Sequence, residues 1–549
     1  MAPAEIPVTP SAYGYPLLIK QLLLTPLAHA PDQEIVYRDR LRYRYRDFRA
    51  RIGRLAGALA AQGIGPGDTV AVMDWDSHRY LEAYFAVPMM GAVLMTANVR
   101  LTPDQILHCL DHARADLLLI HVDFLPILEA IRGRLKTVRR ILLIADGSGA
   151  PAGAPFDGEY EALLAAAAPD YDFPDFDENT RATTFYTTGT TGLPKAVYFS
   201  HRQLVLHTLA VGVTCGTNPS GQSFHRGDVY MPLTPMFHVH GWGLPYLATL
   251  YGVKQVYPGR YQPELLLKLI EQERVTFSHC VPTILQMLLA APEAAAVDFR
   301  RWKCVIGGSA LPRGLAEAGM ARGIDIWSGY GMSETCPILT TAQLKPNRPA
   351  LTKEEETARR CKTGLPIAMV DIRVVDEAMN ELPADGSSVG EIVVRAPWLT
   401  QGYLHDGTAS EALWRGGYLH TQDVASRDTE GYLRITDRMK DVIKTGGEWV
   451  SSLELESLIS QHPAVAEVAV IGVPDAKWGE RPLALVVARP GEAAALDGDA
   501  LKCHMLGFCQ RGLLPKFAVP ERYLLVSAIE RTSVGKLDKK LLRQKYGNN

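Results

Sequence analysis

Phe48, Ile52, Leu55, Ala56 and Leu59 fall on one face of a helix spanning Asp47 to Gln62, and Gly63 follows where a left-handed C-terminal cap belongs. Gly65-Pro66-Gly67-Asp68 then turns the chain into the strand-like run Thr69-Val70-Ala71-Val72-Met73. The same succession of helix, turn and apolar strand returns from Pro103 to Ile120 and from Pro263 to Cys280. Such repeats predict a large α/β fold with buried sheets. After about residue 437 the elements become short. Ser451 and Glu454 form a capping box ahead of a helix over Leu453–Gln461, Pro463 stops it, and apolar strands follow at Val468–Val473 and Pro482–Val487. That pattern predicts a separate α+β unit of about 110 residues, a common domain size.

Between these elements lie polar stretches with plain readings. Lys353–Arg360 is a charge run that fits a solvated helical face, and Gly147–Pro155 and Pro169–Asn179 read as surface loops. The second loop holds Asp170, Asp172, Asp175, Asp177 and Glu178 but lacks the central glycine and spacing of a calcium loop, so it reads as a solvated acidic loop.

Composition narrows the function. Of 549 residues, 47% are hydrophobic and 21% charged, which suits several well-filled cores and excludes a disordered chain. Lysine and arginine number 57 against 60 acidic residues; the net charge of -3 offers no general attraction to nucleic acid or an anionic membrane. The eight cysteines are scattered without a C-x-x-C pair, as expected of reduced thiols in a cytoplasmic protein. Tyr15–Ala30 carries Lys20 and lacks the basic start of a signal peptide, and no apolar run reaches the roughly 18 residues of a membrane helix. A soluble protein acting on a small molecule is the expectation.

Candidate chemistry gathers in four places. Thr187, Thr188, Gly189, Thr190, Thr191, Gly192 and Lys195 form a glycine- and hydroxyl-rich run after the strand-like Phe185-Tyr186, where bare backbone N–H groups and a lysine suit phosphate oxygens. The spacing is not that of G-x-x-x-x-G-K-[ST], and G-x-G-x-x-G is absent. Ser200 and Gln203 cap the helix that follows. A second turn, Ser328-Gly329-Tyr330-Gly331-Met332-Ser333, leads to Glu334, a carboxylate able to hold Mg²⁺ beside substrate phosphates. Neither Gly331–Thr335 nor Gly307-Gly308-Ser309-Ala310 completes the G-x-S-x-G of a serine hydrolase. In the third place, Asp423 is an acceptor for sugar hydroxyls, Arg438 a charged donor, and Gly446-Gly447 a point of close ligand approach. The fourth is Arg531–Lys536 near the C-terminus.

In this order and at these separations the four stretches resemble the AMP-forming adenylating superfamily of acyl-CoA synthetases, luciferases and peptide-synthetase adenylation domains. The wording of Val229–Tyr246 and Ile443–Ser452 is similar to the bacterial fatty acyl-CoA synthetase branch, which also holds medium-chain and sulfur-containing propionate ligases. The resemblance implies a large multi-sheet N-terminal domain over 1–438 and a small mobile α+β domain over 439–549. It implies a carboxylate attacking MgATP to give acyl-AMP and pyrophosphate, then CoA displacing AMP. The competing outcomes are transfer to a carrier protein, ligation of a short, branched or methylthiopropionate acid to CoA, luciferase-like oxygenation and a non-catalytic scaffold, and Phe237-His238 disfavours amino-acid activation.

Residue by residue, the resemblance places Thr187 to Lys195 on the departing phosphates and Thr187 with Glu334 on Mg²⁺. Gly307–Ala310 and Ser328–Met332 line the adenine and acyl pocket, Ser333 bonds the α-phosphate, and Asp423 with Arg438 holds the ribose. His238 lies near the acyl carboxylate, and Trp242, with Gly308 and Gly331, bounds the acyl pocket. Lys536 is the catalytic cation and Lys440 the hinge; Lys444, Gly446, Gly447, Glu448 and Trp449 face CoA. Ala196 and Ser333 depart from the family's glycine and threonine, and His240-Gly241 from its usual pair. A homodimer and acetylation of Lys536 by a lysine acetyltransferase complete the expectations.

Overall fold

The computed structural model describes residues 6–147, 156–187, 193–219, 221–346, 349–446, 448–492, 496–531 and 537–547. Two large sheets carry the N-terminal part. One has seven strands in the order Gly158–Glu159, Arg140–Ile144, Leu117–His121, Thr69–Met73, Val93–Thr96, Arg181–Thr187 and Lys195–Ser200. The other has nine, among them the parallel run Asp325–Gly331, Lys303–Ile306, Phe277–Cys280, Val229–Leu233, Lys254–Tyr257 and Glu34–Tyr37. Thr69–Met73, Leu117–His121 and Phe277–Cys280 are buried along their whole length, as strands covered on both faces are. A four-stranded antiparallel sheet (Asp371–Val375, Val389–Arg395, Leu419–Arg427, Leu433–Arg438) leads to the C-terminal five-stranded sheet.

The first predicted helix spans Tyr45–Ala61, and Gly63 takes a left-handed φ of 81°. In the two recurrences the same place belongs to Arg114 (φ 54°) and Arg274 (φ 55°), so no glycine marks those turns. The acidic loop is more than solvated: Asp175 pairs with Lys20 at 2.8 Å, and Glu178 accepts from the Leu17 amide and from Arg202, tying down the N-terminal segment. Lys353–Arg360 is the expected helix, capped by Thr352. Ser451 caps the helix Ser452–Ile459, and the long hairpin Val465–Asp475 with Gly479–Ala488 follows. The loop expected at 147–155 lies, past Gly147, almost wholly outside the described residues. Among the described residues no helix is long and apolar enough to cross a membrane, and the eight cysteines are free thiols.

Two glycines of one helix give a paired test. A methyl group on Gly53 would stand 1.8 Å from the Pro169 carbonyl oxygen, whereas one on Gly57 would meet nothing closer than 3.8 Å. Gly53→Ala is expected to destabilise the chain by about 1–3 kcal/mol. Gly57→Ala is expected to be neutral or to stabilise by up to ~1 kcal/mol. Thermal midpoints of the two variants check this, and equal shifts would contradict it.

Candidate active site

The phosphate-loop candidate begins where Arg181–Thr187 pairs antiparallel with Lys195–Ser200, Thr187 standing opposite Lys195. Thr188, Gly189, Thr190, Thr191 and Gly192 lie outside the described residues. Ser200 and Gln203 form the expected capping box of the helix His201–Gly216. Ala196 is buried in the hairpin, and its carbonyl accepts from the Leu404 amide at 2.9 Å, so its methyl group is accommodated. Lys195 Nζ stands 3.3 Å from Asp406 Oδ2 and 4.8 Å from the centre of the Tyr403 ring.

Tyr403 links this strand to the second cluster. Its hydroxyl donates to Glu334 Oε1 at 2.8 Å, and the Thr400 amide donates to the Glu334 carbonyl. Glu334 sits in the 3₁₀ turn Ser333–Thr335, its side chain buried, and burial pushes its carboxyl above the usual range. The strand before it, Asp325–Gly331, ends in Ser328, Gly329, Tyr330 and Gly331, followed by Met332. Ser328 Oγ is buried without a hydrogen-bond partner. Tyr330 donates to Asp423 Oδ2 at 2.7 Å, and Arg438 Nε lies 3.1 Å from Asp423 Oδ1. Asp423 and Arg438 oppose each other on neighbouring strands, which explains how residues fifteen apart share one carboxylate.

Gly307 follows the strand Lys303–Ile306, and Gly308, Ser309 and Ala310 are exposed beyond it. A Cβ on Gly307 would lie 2.8 Å from the Trp242 ring and 2.9 Å from the Gly329 carbonyl oxygen. Trp242 thus packs directly on this backbone. It belongs to a run whose conformation the sequence did not announce: Val239 (φ 50°), His240 (55°), Gly241 (54°), Trp242 (60°) and Gly243 (74°) are all left-handed. Such backbone costs L-residues about 1–2 kcal/mol each. The surroundings hold it. His240 Nε2 meets Thr183 Oγ1 at 2.9 Å, Thr96 donates to the Phe237 carbonyl, and the Met236 amide donates to Asp76. His240 is fully buried among Phe185, Phe199, Tyr84 and Tyr246, so it shapes the core behind the turn. Burial drives the pKa of His207, His240 and His279 down to about 3, leaving all three neutral. His238, ahead of the turn, is half-buried.

Lys440 lies in the turn joining Leu433–Arg438 to Ile443–Thr445, with the Asp441 and Val442 amides donating to the Arg438 carbonyl. Two aspartates flanking it reach the small domain. Asp437 Oδ2 accepts from the Ser452 amide at 2.7 Å, and Asp441 pairs with Arg543. Lys444 and Gly446 sit on one side of a hairpin and Glu448 and Trp449 on the other, and the Gly446 amide donates to the Trp478 carbonyl. Gly447 and Lys536 lie outside the described residues. Tyr403 and Asp406 are site residues that sequence reasoning missed. Their signal, Gly402-Tyr403-Leu404 following an apolar strand, is too ordinary to read alone.

A family model described as AMP-binding enzyme matches residues 25–404, and one described as AMP-binding enzyme C-terminal domain matches residues 454–536. The chain is 43% identical to a long-chain-fatty-acid–CoA ligase of Thermus thermophilus over 92% of its own length and 90% of that protein's. It is 39% identical to a 3-methylmercaptopropionyl-CoA ligase of Ruegeria pomeroyi, over 90% of each chain. Among solved structures, a Mycobacterium tuberculosis fatty acyl CoA synthetase superposes with a TM-score of 0.72 at 26% identity, covering 97% of this chain and 99% of that one. The chain belongs to the AMP-binding enzyme family, on the fatty acyl-CoA synthetase branch of the AMP-forming adenylating enzymes.

Proposed function

We propose that the protein joins an aliphatic carboxylic acid to coenzyme A at the expense of ATP, through an acyl-adenylate, releasing pyrophosphate and AMP. The observation that carries this reading is the unbroken series of contacts from Lys195 through Tyr403 to Glu334, and from Tyr330 through Asp423 to Arg438. It sets groups suited to phosphates beside groups suited to a ribose. Trp242 on the Gly307 backbone supplies an apolar wall next to them. The relatives' names, long-chain-fatty-acid and 3-methylmercaptopropionyl-CoA ligase, support the same acid–thiol ligation.

In this reading a carboxylate oxygen of the substrate attacks the α-phosphorus, and the bond to the oxygen bridging to the β-phosphate breaks as pyrophosphate leaves. Lys195 and the loop from Thr187 to Gly192 hold the departing phosphates, and Ser333 bonds the α-phosphate. Gly307 to Ala310 and Ser328 to Met332 line the adenine and the start of the acyl chain, with His238 near the carboxylate. Asp423 accepts from the ribose hydroxyls, oriented by Tyr330 and Arg438. Lys536 places positive charge where the transition state gathers negative charge. Glu334 and Thr187 would hold Mg²⁺, which when bound offsets phosphate charge. Glu334 fits such an ion: its buried carboxyl bonds a neutral phenol, so a cation compensates a charge otherwise costly to bury.

The CoA sulfur then attacks the acyl carbon and AMP departs. For this step the small domain, 439–549, turns about Lys440, withdrawing Lys536 and bringing Lys444, Gly446, Gly447, Glu448 and Trp449 to the pantetheine arm. A cytoplasmic homodimer, with Lys536 open to acetylation, completes the proposal.

Pyrophosphate and acyl-CoA, measured with ATP, Mg²⁺ and CoA across acetate, isobutyrate, octanoate, palmitate and methylthiopropionate, should rise together for one chain length. Pyrophosphate without acyl-CoA for every acid would instead point to a carrier protein. Trp242→Ala should shift preference toward longer acids by about tenfold or more, the discrimination that a single methylene commands in an apolar pocket. Lys536→Ala should slow adenylation by about 10³-fold while leaving thioester formation from supplied acyl-AMP within a few-fold; equal losses in both half-reactions would refute its assigned step. Glu334→Gln should cost adenylation about 10²-fold or more yet raise the thermal midpoint at pH 8 by roughly 1–2 °C. The sign follows from the raised carboxyl pKa: ionised, the buried group opposes folding, so the variant's advantage is full above that pKa and fades as pH falls through it. A less stable variant at pH 8 would contradict this.

A further inference from the structure

The candidate active site occupies one of two equivalent places in this fold. In an open α/β sheet, ligands settle outside the carboxyl ends of the strands where the chain reverses its direction of travel across the sheet. In the nine-stranded sheet that point lies between Val229–Leu233 and Phe277–Cys280, and His238 and Trp242 follow directly from it. The seven-stranded sheet has its own. Thr69–Met73 is flanked in parallel by Val93–Thr96 on one side and Leu117–His121 on the other, so the chain steps one way and then crosses back.

At the carboxyl ends of Thr69–Met73 and Leu117–His121 lies a cavity of about 190 Å³, lined from this sheet by Trp75, His121, Asp123 and Asp146. Loops of the nine-stranded sheet close it with Arg38, Arg40 and Arg260. The guanidinium groups come from two separate segments yet converge on one space. Arg38 Nε is buried without a hydrogen-bond partner, and Arg260 lies over the Trp75 ring at 5.7 Å. The carboxylates are already engaged. Asp146 is shared by Arg40 at 3.0 Å, Arg79 at 3.1 Å and the Tyr37 hydroxyl at 3.0 Å, while Asp123 accepts from the Trp75 indole at 2.8 Å. Arg38 and Asp146 are both held in left-handed backbone, with φ of 54° and 48°. Gly259 lets the wall approach closely, a Cβ there lying 3.1 Å from Arg38 Cδ.

We propose that this cavity is a second ligand site, binding a phosphate-class dianion, either free or as the head group of a small phosphomonoester. Three guanidinium groups exclude a cation, and their fork geometry matches phosphate oxygens. His121 lines the same wall, its Nδ1 accepting from the Asp123 amide and its Nε2 3.6 Å from Asp146. A second hollow of about 490 Å³ shares Tyr37, Arg40 and Asp146 with the first and offers room for the rest of an ester. The site is independent of the adenylation reading, since it shares no residue with that cleft.

The test is localisation followed by affinity. Tungstate, a heavy analogue of phosphate, is soaked into crystals of the full chain and located by anomalous scattering; a peak within hydrogen-bonding distance of Arg38 and Arg260 is expected. Calorimetry with inorganic phosphate and with glycerol 3-phosphate, on protein whose nucleotide site is saturated with AMP, should show one site weakened at least tenfold by Arg260→Gln and by Arg38→Gln. Arg260 is exposed, so its variant keeps the fold, which the thermal midpoint verifies. Tighter binding of the ester identifies it as the ligand class, and equal binding identifies free phosphate. An empty cavity in the tungstate map, or affinity unchanged by Arg260→Gln, would overturn the proposal.

Discussion

Gly331 has no room for a methyl group. A Cβ there would fall 1.8 Å from the Pro337 carbonyl oxygen, and at Gly329 and Gly307 one would strike Val305 and Trp242 at 2.9 and 2.8 Å. Backbone is therefore packed directly on backbone and on an indole ring where the strand Asp325–Gly331 ends. This close approach sets everything else in the cleft. With glycine at alternate positions, Tyr330 points to the other side of the strand and meets Asp423. The turn that follows delivers Glu334 to Tyr403. Substituting any of these glycines would move the end of this strand, Asp423 and Glu334 together.

The electrostatic design follows from burial. Three histidines behind the cleft are neutral, so among the described residues the charged groups of the site include Glu334, Asp423, Arg438, Lys195 and Asp406. The two carboxylates Glu334 and Asp423 are buried and held by partners, Glu334 by Tyr403 and Asp423 by Tyr330 and Arg438, while Lys195 and Arg438 stay half exposed, so these acids are fixed before a polyanion enters. The strained turn at 239–243 fixes Trp242 on the Gly307 backbone against the pull of its own backbone preference. At the other end of the cleft, Asp437 and Asp441 anchor the segment around Lys440 to the small domain. The proposed rotation about Lys440 would carry Asp441 with the small domain and would have to release or strain the bond from Asp437 to Ser452.

Much of this was legible in the sequence because it rests on short-range rules. Helix caps at Ser200 and Ser451, and the largely apolar strands at 69–73 and 117–121, follow from local hydrogen bonding and pattern. The glycine-rich turns were visible as places of backbone approach. What escaped depends on contacts distant in sequence. Tyr403 matters only because folding brings it 69 residues back to Glu334, and the acidic loop at 169–179 clamps the N-terminus only because Lys20 and Leu17 arrive there. Left-handed Arg114 and Arg274 do the work of glycine with no compositional sign. The second cavity was invisible for the same reason, since its arginines belong to one sheet and its aspartates to the other.

The central claim is that the substrate's own carboxylate oxygen attacks the α-phosphorus. Octanoate, or whichever acid reacts fastest, labelled with ¹⁸O in both carboxylate positions and turned over with ATP and CoA, tests it most directly. The account predicts AMP carrying one ¹⁸O per turnover and pyrophosphate carrying none, because the oxygen that bridges the acyl-adenylate stays with phosphorus when the thiol attacks carbon. Unlabelled AMP, or label in pyrophosphate, would contradict it.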